Sequence, residues 1–217
     1  MSDIHTLFVR EQTVLGRAPL VPEIALQLAT EVTPLWQATE ATLACAGLPP
    51  PFWAFAWPGG QALARLLLDQ PEWVKGRSVL DFAAGGGIAG IAAAKAGATI
   101  VAVNEIDDFA LAAIRLNAAA NRVTLDVVDR DLLATPAAGD QVILCGDVCY
   151  ERPMAERVLA WLAASVAKGA VALVADPGRA YLPRTGLEEV ACYDVPTSLD
   201  LENRTLMTTK VYRFLTL

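Results

Sequence analysis

The sequence predicts a doubly wound α/β fold: a mostly parallel sheet covered by helices on both faces and closed by a C-terminal antiparallel hairpin. Three observations predict it. From Ser78 onward, short apolar runs alternate with alanine-rich helical stretches, the rhythm of a sheet built by crossovers. The runs are apolar throughout, so each strand needs cover on both faces. After Asp176 two strand-like segments follow with only a polar loop between them. Neighbours joined that directly pair antiparallel, because a parallel pair needs a crossover.

The elements follow in order. From Pro22 to Ala46 apolar positions recur at helical spacing, with Pro34 as a break or kink. The stretch LPPPFWAFAWPGG is too rich in proline to be one regular element, and Gly60–Asp69 is a helix that Pro71 stops. SVLDF is the first strand of the sheet, followed by a glycine turn and the helix IAGIAAAKAG. ATIVAVNE, VTLDVVD, QVILCGD and AVALVAD are the next strands, with DDFALAAIRLNAAAN and MAERVLAWLAASVA as helices. LEEVACYDV and TLMTTKVYRFL form the hairpin, and the loop between them carries no clear helix. Residues 1–58 are expected to form a helical extension and lid on the cofactor side, and residues 59–217 the main domain.

Composition narrows the function. Of 217 residues 54% are apolar and 19% charged, which supplies a sizeable core. The net charge of −7 argues against nucleic acid or an anionic membrane as partner, since both need a basic surface. Cys45, Cys145, Cys149 and Cys192 form no CxxC pair and the single histidine is His5, so no metal site is expected. The N-terminus MSDIHTLFVREQ does not have the form of a signal peptide, and no run is long and apolar enough to span a bilayer. A cytoplasmic monomer is expected.

The chemistry concentrates at VLDFAAGGGIAG. Gly85, Gly87 and Gly90 satisfy G-x-G-x-x-G at a strand-to-helix turn, which lets backbone approach a nucleotide. That pattern fits a dinucleotide as well as S-adenosylmethionine. Asp81 shifts the balance: a carboxylate there repels a pyrophosphate but suits a cationic amino-acid group, although it could equally fix the loop through backbone N–H groups. Glu105, 20 residues after Gly85, can accept two ribose hydroxyls. Asp107 and Asp108 read as caps of the next helix. Asp131, with Asp129 as the alternative, can accept an adenine amine.

The segments PFWAFAWPGGQALARLLLDQP, VLDFAAGGGIAGIAAAKAGA, VNEID, GDVCYE and DPGR, in this order from Pro51 to Arg179, resemble the seven-strand protein lysine methyltransferases. Among these the resemblance is to the electron transfer flavoprotein β-subunit lysine methyltransferases. It implies a Rossmann-like seven-strand sheet, S-adenosylmethionine as cofactor, and lysine side chains of that flavoprotein subunit as substrate. It further implies that Trp57 packs beside the cofactor, and that Asp147 and Tyr150 form the D-x-x-Y signature at the mouth of a lysine channel. Trp53 and Arg179 join the substrate side. Ala83 stands where the family has a loop glycine, and can serve if its φ is negative. Three other readings stay open: a methyltransferase of a ribosomal protein or small molecule, a nicotinamide-dependent oxidoreductase, and a non-catalytic module.

Overall fold

The computed structural model describes residues 4–31, 33, 35, 49–137, 139 and 141–215. The N-terminal helix α1 (Ile4–Gln12) leads into a hairpin of β1 (Val14–Ala18) and β2 (Val21–Leu28), paired antiparallel from Val14 opposite Leu28. A helix was expected from Pro22 onward; Pro22–Leu28 is instead a strand. The free edge of β2 is paired by side chains rather than by another strand. Asn121 accepts from the Ala25 N–H at 3.0 Å and donates to the Ala25 carbonyl, while Asn117 accepts from the Gln27 N–H at 2.7 Å. The rest of the expected helix, with Pro34 and Ala46, lies outside the described residues, as does Cys45.

After a 3₁₀ turn at Phe52–Ala54 the main sheet begins with helix α2 (Pro58–Asp69). Pro58 opens it where no N–H is needed, and Pro71 follows its end. Then come β3 (Ser78–Phe82), α3 (Ile88–Lys95), β4 (Ile100–Asn104), α4 (Asp108–Asn121) and β5 (Asp126–Val128). The chain continues through β6 (Val142–Gly146), α5 (Arg152–Val166), β7 (Val171–Asp176), β8 (Leu187–Pro196), α6 (Leu199–Glu202) and β9 (Leu206–Phe214). The loop before β9 thus holds a four-residue helix where none was expected. Ser198 caps its start by accepting from the Leu201 N–H, and Asn203 ends it in the left-handed region.

The strands form one sheet in the order β5-β4-β3-β6-β7-β9-β8, parallel from β5 to β7 and antiparallel at β9 and β8. Alternate residues of the central strands serve two cores. Val79, Val142, Leu144 and Leu173 face the layer of α2 and α3, while Leu80, Ile143, Cys145 and Val174 face α5. This two-sided burial is why the strands are apolar without a break. The chain runs outward from β3 to β5 and returns to β6, so the sheet reverses direction between β3 and β6. A crevice opens beyond the carboxyl ends of the strands at such a reversal.

Candidate active site

A cavity of about 700 Å³ occupies that crevice, between the ends of β3, β4 and β6 and the segment before α2. The glycine turn forms its floor. Ala83, Gly85 and Gly87 all have positive φ, of 51°, 54° and 78°. The condition attached to Ala83 therefore fails: this alanine takes the left-handed conformation that glycine adopts freely, at a cost of about 1–2 kcal/mol. Gly85 and Ala83 line the cavity, whereas Gly87 lies behind them as the cap of α3. A Cβ on Gly87 would stand 3.3 Å from Ile114. Its role is therefore in packing and in the turn.

Two acids flank the turn. Asp81 is 3% exposed, and its Oδ2 accepts from the Gly90 N–H at 2.7 Å. Gly90 has to be glycine for this reach, because a Cβ would stand 2.8 Å from Val103 and 3.1 Å from the same oxygen. Burial pushes the Asp81 carboxyl up to about 8; the Gly90 N–H opposes this, and the charge that bears on it is another acid, Glu105. Glu105 accepts from the Gly85 N–H at 2.8 Å through one oxygen and from the Ile106 N–H at 3.0 Å through the other. Burial raises its carboxyl as well. With the Asp107 N–H also bearing on it, the Glu105 carboxylate keeps room for a further donor.

The far wall is built by α2. A Cβ on Gly59 would fall 2.5 Å from the Ala175 carbonyl and 2.7 Å from the Asp147 nitrogen, so the start of α2 sits directly on the ends of β6 and β7. The Gly59 N–H donates to Asp147 Oδ2 at 2.5 Å. Asp147 has φ of 56°, and its own N–H donates to Ala175. Its Oδ1 accepts from Arg179 Nη2 at 3.0 Å and Nε at 3.3 Å. Burial lifts this carboxyl to about 6 even though Arg179 and the Gly59 N–H both oppose the shift.

The mouth is aromatic. Phe52 is 48% exposed and Tyr150 44%, with ring centroids 5.7 Å apart, and Trp57 lies 6.0 Å from Phe52. Trp57 lines the cavity and donates its indole N–H to the Phe52 carbonyl. Trp53 differs from expectation. The 3₁₀ turn points it inward, 3% exposed and stacked on Phe109, so it supports the wall and Phe52 takes the place at the mouth. Arg179 lines the cavity. Its guanidinium is held between Asp147 and Glu202, with Glu202 Oε1 at 2.6 Å. Asp131 lies at the rim, where it accepts from the Leu133 N–H and pairs with Arg157 at 2.7 Å.

Sequence reasoning missed Phe52, Glu202, Asn104 and Ile106. Asn104 is buried at the end of β4 and donates to the carbonyls of Val128 and Arg130, which fixes the strand leading to Asp131. Ile106 is 74% exposed and lines the cavity, an apolar residue between two acids that local sequence could have flagged. Among the described residues no cluster of ligating side chains is placed to hold a metal ion, and no helix is long and apolar enough to cross a membrane.

The Methyltransferase small domain family matches residues 55–146, which run from the aromatic segment through the glycine turn to the end of β6. An electron transfer flavoprotein β-subunit lysine methyltransferase of Danio rerio is 34% identical over 218 residues, covering 98% of this chain and 83% of that one. The Homo sapiens protein of the same description is 35% identical over 221 residues, with 95% and 80% covered. Among solved structures, magnesium protoporphyrin IX methyltransferase from Synechocystis shares the fold at a TM-score of 0.50 and 15% identity, covering 71% of this chain and 76% of that one. Fold and site together define a Rossmann-like methyltransferase with a seven-strand sheet. Within that class the chain belongs to the family of electron transfer flavoprotein β-subunit lysine methyltransferases.

Proposed function

We propose that the cavity binds S-adenosylmethionine and directs its methyl group to lysine side chains of a protein, the electron transfer flavoprotein β subunit. One observation carries the cofactor reading. The glycine turn is flanked by the buried Asp81 and the half-buried Glu105, and the two arginines on the cavity wall, Arg157 and Arg179, are already paired with carboxylates. A pyrophosphate would find no free cation there, whereas a cationic donor lets the buried Asp81 ionise against an opposite charge. The residues present fit this cofactor. Asp81 suits its ammonium group, Glu105 its ribose hydroxyls, and Ile106 its adenine face. Asp131 suits the adenine amine, and Trp57 covers the side. When bound, the sulfonium supplies an electrophilic methyl group.

On the substrate side the chain's own residues set the amine. Transfer needs an uncharged nitrogen, and at pH 7 the neutral form of lysine lies about 4.6 kcal/mol above the ammonium. Asp147 accepts a hydrogen bond from the amine and orients its lone pair. Its carboxyl titrates at about 6, too low to take the proton from lysine, so the proton leaves through water before the amine is enclosed. Phe52 and Tyr150 form the apolar collar that strips water from the amine. The same reading makes the enzyme a cytoplasmic monomer acting on neither nucleic acid nor membrane, and the net charge of −7 supports a lysine-bearing partner.

The test is to incubate purified enzyme with isotopically labelled S-adenosylmethionine and extract from cells lacking it. Label on lysines of the flavoprotein β subunit, located by mass spectrometry, is expected. Label confined to small molecules or to a ribosomal protein would contradict the substrate assignment.

A further inference from the structure

Glu202 has no part in the proposed chemistry, yet its charged side chain is almost fully enclosed beside the site. It ends α6, in the connection between β8 and β9, and its side chain is only 7% exposed. Both of its oxygens accept from Arg179, at 2.6 Å from Nη2 and 2.9 Å from Nη1. The same guanidinium reaches Asp147 Oδ1 through Nη2 and Nε. The planar fork of one arginine thus joins two carboxylates that are 55 residues apart in the chain.

We propose that Glu202 is a positioning residue for Asp147, acting through Arg179, so that the β8–β9 connection belongs to the substrate side of the site. This rests on the reading of Asp147 as the group that holds the target amine.

The geometry explains why a second carboxylate is needed. Arg179 has a competing acceptor close by. Asp176 takes the Arg179 and Gly178 N–H groups on Oδ1, while its buried Oδ2 has no hydrogen-bond partner. An arginine held by Asp147 alone could turn towards Asp176. Glu202 removes that freedom by fixing the other edge of the fork. With Arg179 on Oδ1 and the Gly59 N–H on Oδ2, the plane of the Asp147 carboxylate is set, and Oδ2 keeps a lone pair for the amine.

Charge points the same way. The groups bearing on Asp147 are Arg179, Asp176 and Cys149, with the Gly59 N–H from α2. Arg179 is shared, so the trio of Asp147, Arg179 and Glu202 carries one net negative charge when both acids are ionised. An incoming lysine ammonium is therefore attracted rather than met by a neutral pair.

The experiment compares Glu202→Gln, Glu202→Ala, Glu202→Asp and Asp147→Asn in full-length enzyme, using methyl transfer across pH 5–9, S-adenosylhomocysteine affinity and Tm. For Glu202→Gln and Glu202→Ala, kcat is expected to fall about tenfold or more with affinity for S-adenosylhomocysteine kept. In Glu202→Gln the acid limb of the pH–rate profile is expected to move to lower pH, because Arg179 then serves Asp147 alone. Glu202→Asp should recover part of the rate. An unchanged rate and acid limb in both Gln and Ala variants would overturn the proposal. So would a loss of rate matched by equal losses in Tm and S-adenosylhomocysteine affinity, since Glu202 would then serve only the fold. If Asp147→Asn keeps full turnover, the failure lies in the role given to Asp147 itself, and the proposal falls with it.

Discussion

The side-chain amide of Asn117 donates to the carbonyl of Gly86 at 2.8 Å, joining helix α4 to the middle of the glycine turn. Its oxygen meanwhile accepts from the Gln27 N–H of the N-terminal hairpin. One fully buried residue thus holds the hairpin and the floor of the cavity in register. Asn117→Ala leaves the half-buried Gln27 N–H and Gly86 carbonyl without partners, at about 1–2 kcal/mol for each. Urea denaturation should show a loss of about 2–4 kcal/mol, and calorimetry a weaker hold on S-adenosylhomocysteine. Unchanged values in both would separate the hairpin from the site.

Asp81 opposes stability where it serves binding. Folded, its carboxyl titrates at about 8, against about 3.9 in an unfolded chain. The folded state therefore binds the proton more tightly. Its contribution to stability is full below about pH 4 and is lost as pH rises to about 8. Asp81→Asn removes that slope, so the gain in Tm over the parent protein should be larger at pH 8 than at pH 5. The same variant should bind S-adenosylhomocysteine about ten- to a hundredfold more weakly, the scale of a hydrogen bond to a charged group. A variant that gained no stability at pH 8 would mean that the carboxylate already has a cationic partner.

Ala83 carries strain that glycine would release. The left-handed backbone costs an alanine about 1–2 kcal/mol, and the greater freedom of glycine in the unfolded chain takes back about 0.4–1 kcal/mol. Ala83→Gly should therefore stabilise the protein by about 0.5–1 kcal/mol in urea denaturation. Destabilisation would show that the methyl group makes packing contacts that outweigh the strain.

Gly59 allows no side chain. The atoms that a Cβ would meet are backbone and the fixed Asp147 carboxylate, and none of them can give way cheaply. Gly59→Ala should lose about 1–3 kcal/mol of stability by overpacking. Methyl transfer should fall further than S-adenosylhomocysteine affinity, because the displaced group is Asp147. Equal falls in both would place the strain elsewhere.

Much of this was legible from residues alone, and the exceptions share a cause. β3, β4, β6 and β7 are apolar apart from Ser78, Asp81, Asn104 and Asp176 at or near their ends, because both faces are covered, a signal contained within each strand. The acids at the strand ends, Asp81, Glu105 and Asp147, could be placed because strand ends define one rim of the sheet. Pro22–Leu28 pairs with β1 on one edge, and it was misread because its other edge is closed by the amides of Asn117 and Asn121, about ninety residues away, which local periodicity does not register. Arg179 read as a substrate contact because Glu202, which completes its ion pair, sits in a short helix marked only by Ser198 and Asn203 as caps. Trp53 was expected on the substrate side and Phe52 was given no role, because a 3₁₀ turn decides which ring faces inward and a proline-rich stretch does not reveal its turn type.

The most direct test of the cofactor site is a calorimetric titration at pH 7 with S-adenosylhomocysteine and with NAD, each in two buffers of different ionisation enthalpy. S-adenosylhomocysteine should bind with release of close to one proton, because its ammonium group ionises an Asp81 that holds its proton up to about pH 8. NAD should not bind. Tighter binding of NAD, or S-adenosylhomocysteine binding with no proton released and no loss in Asp81→Asn, would contradict a site in which buried carboxylates receive a cationic methyl donor.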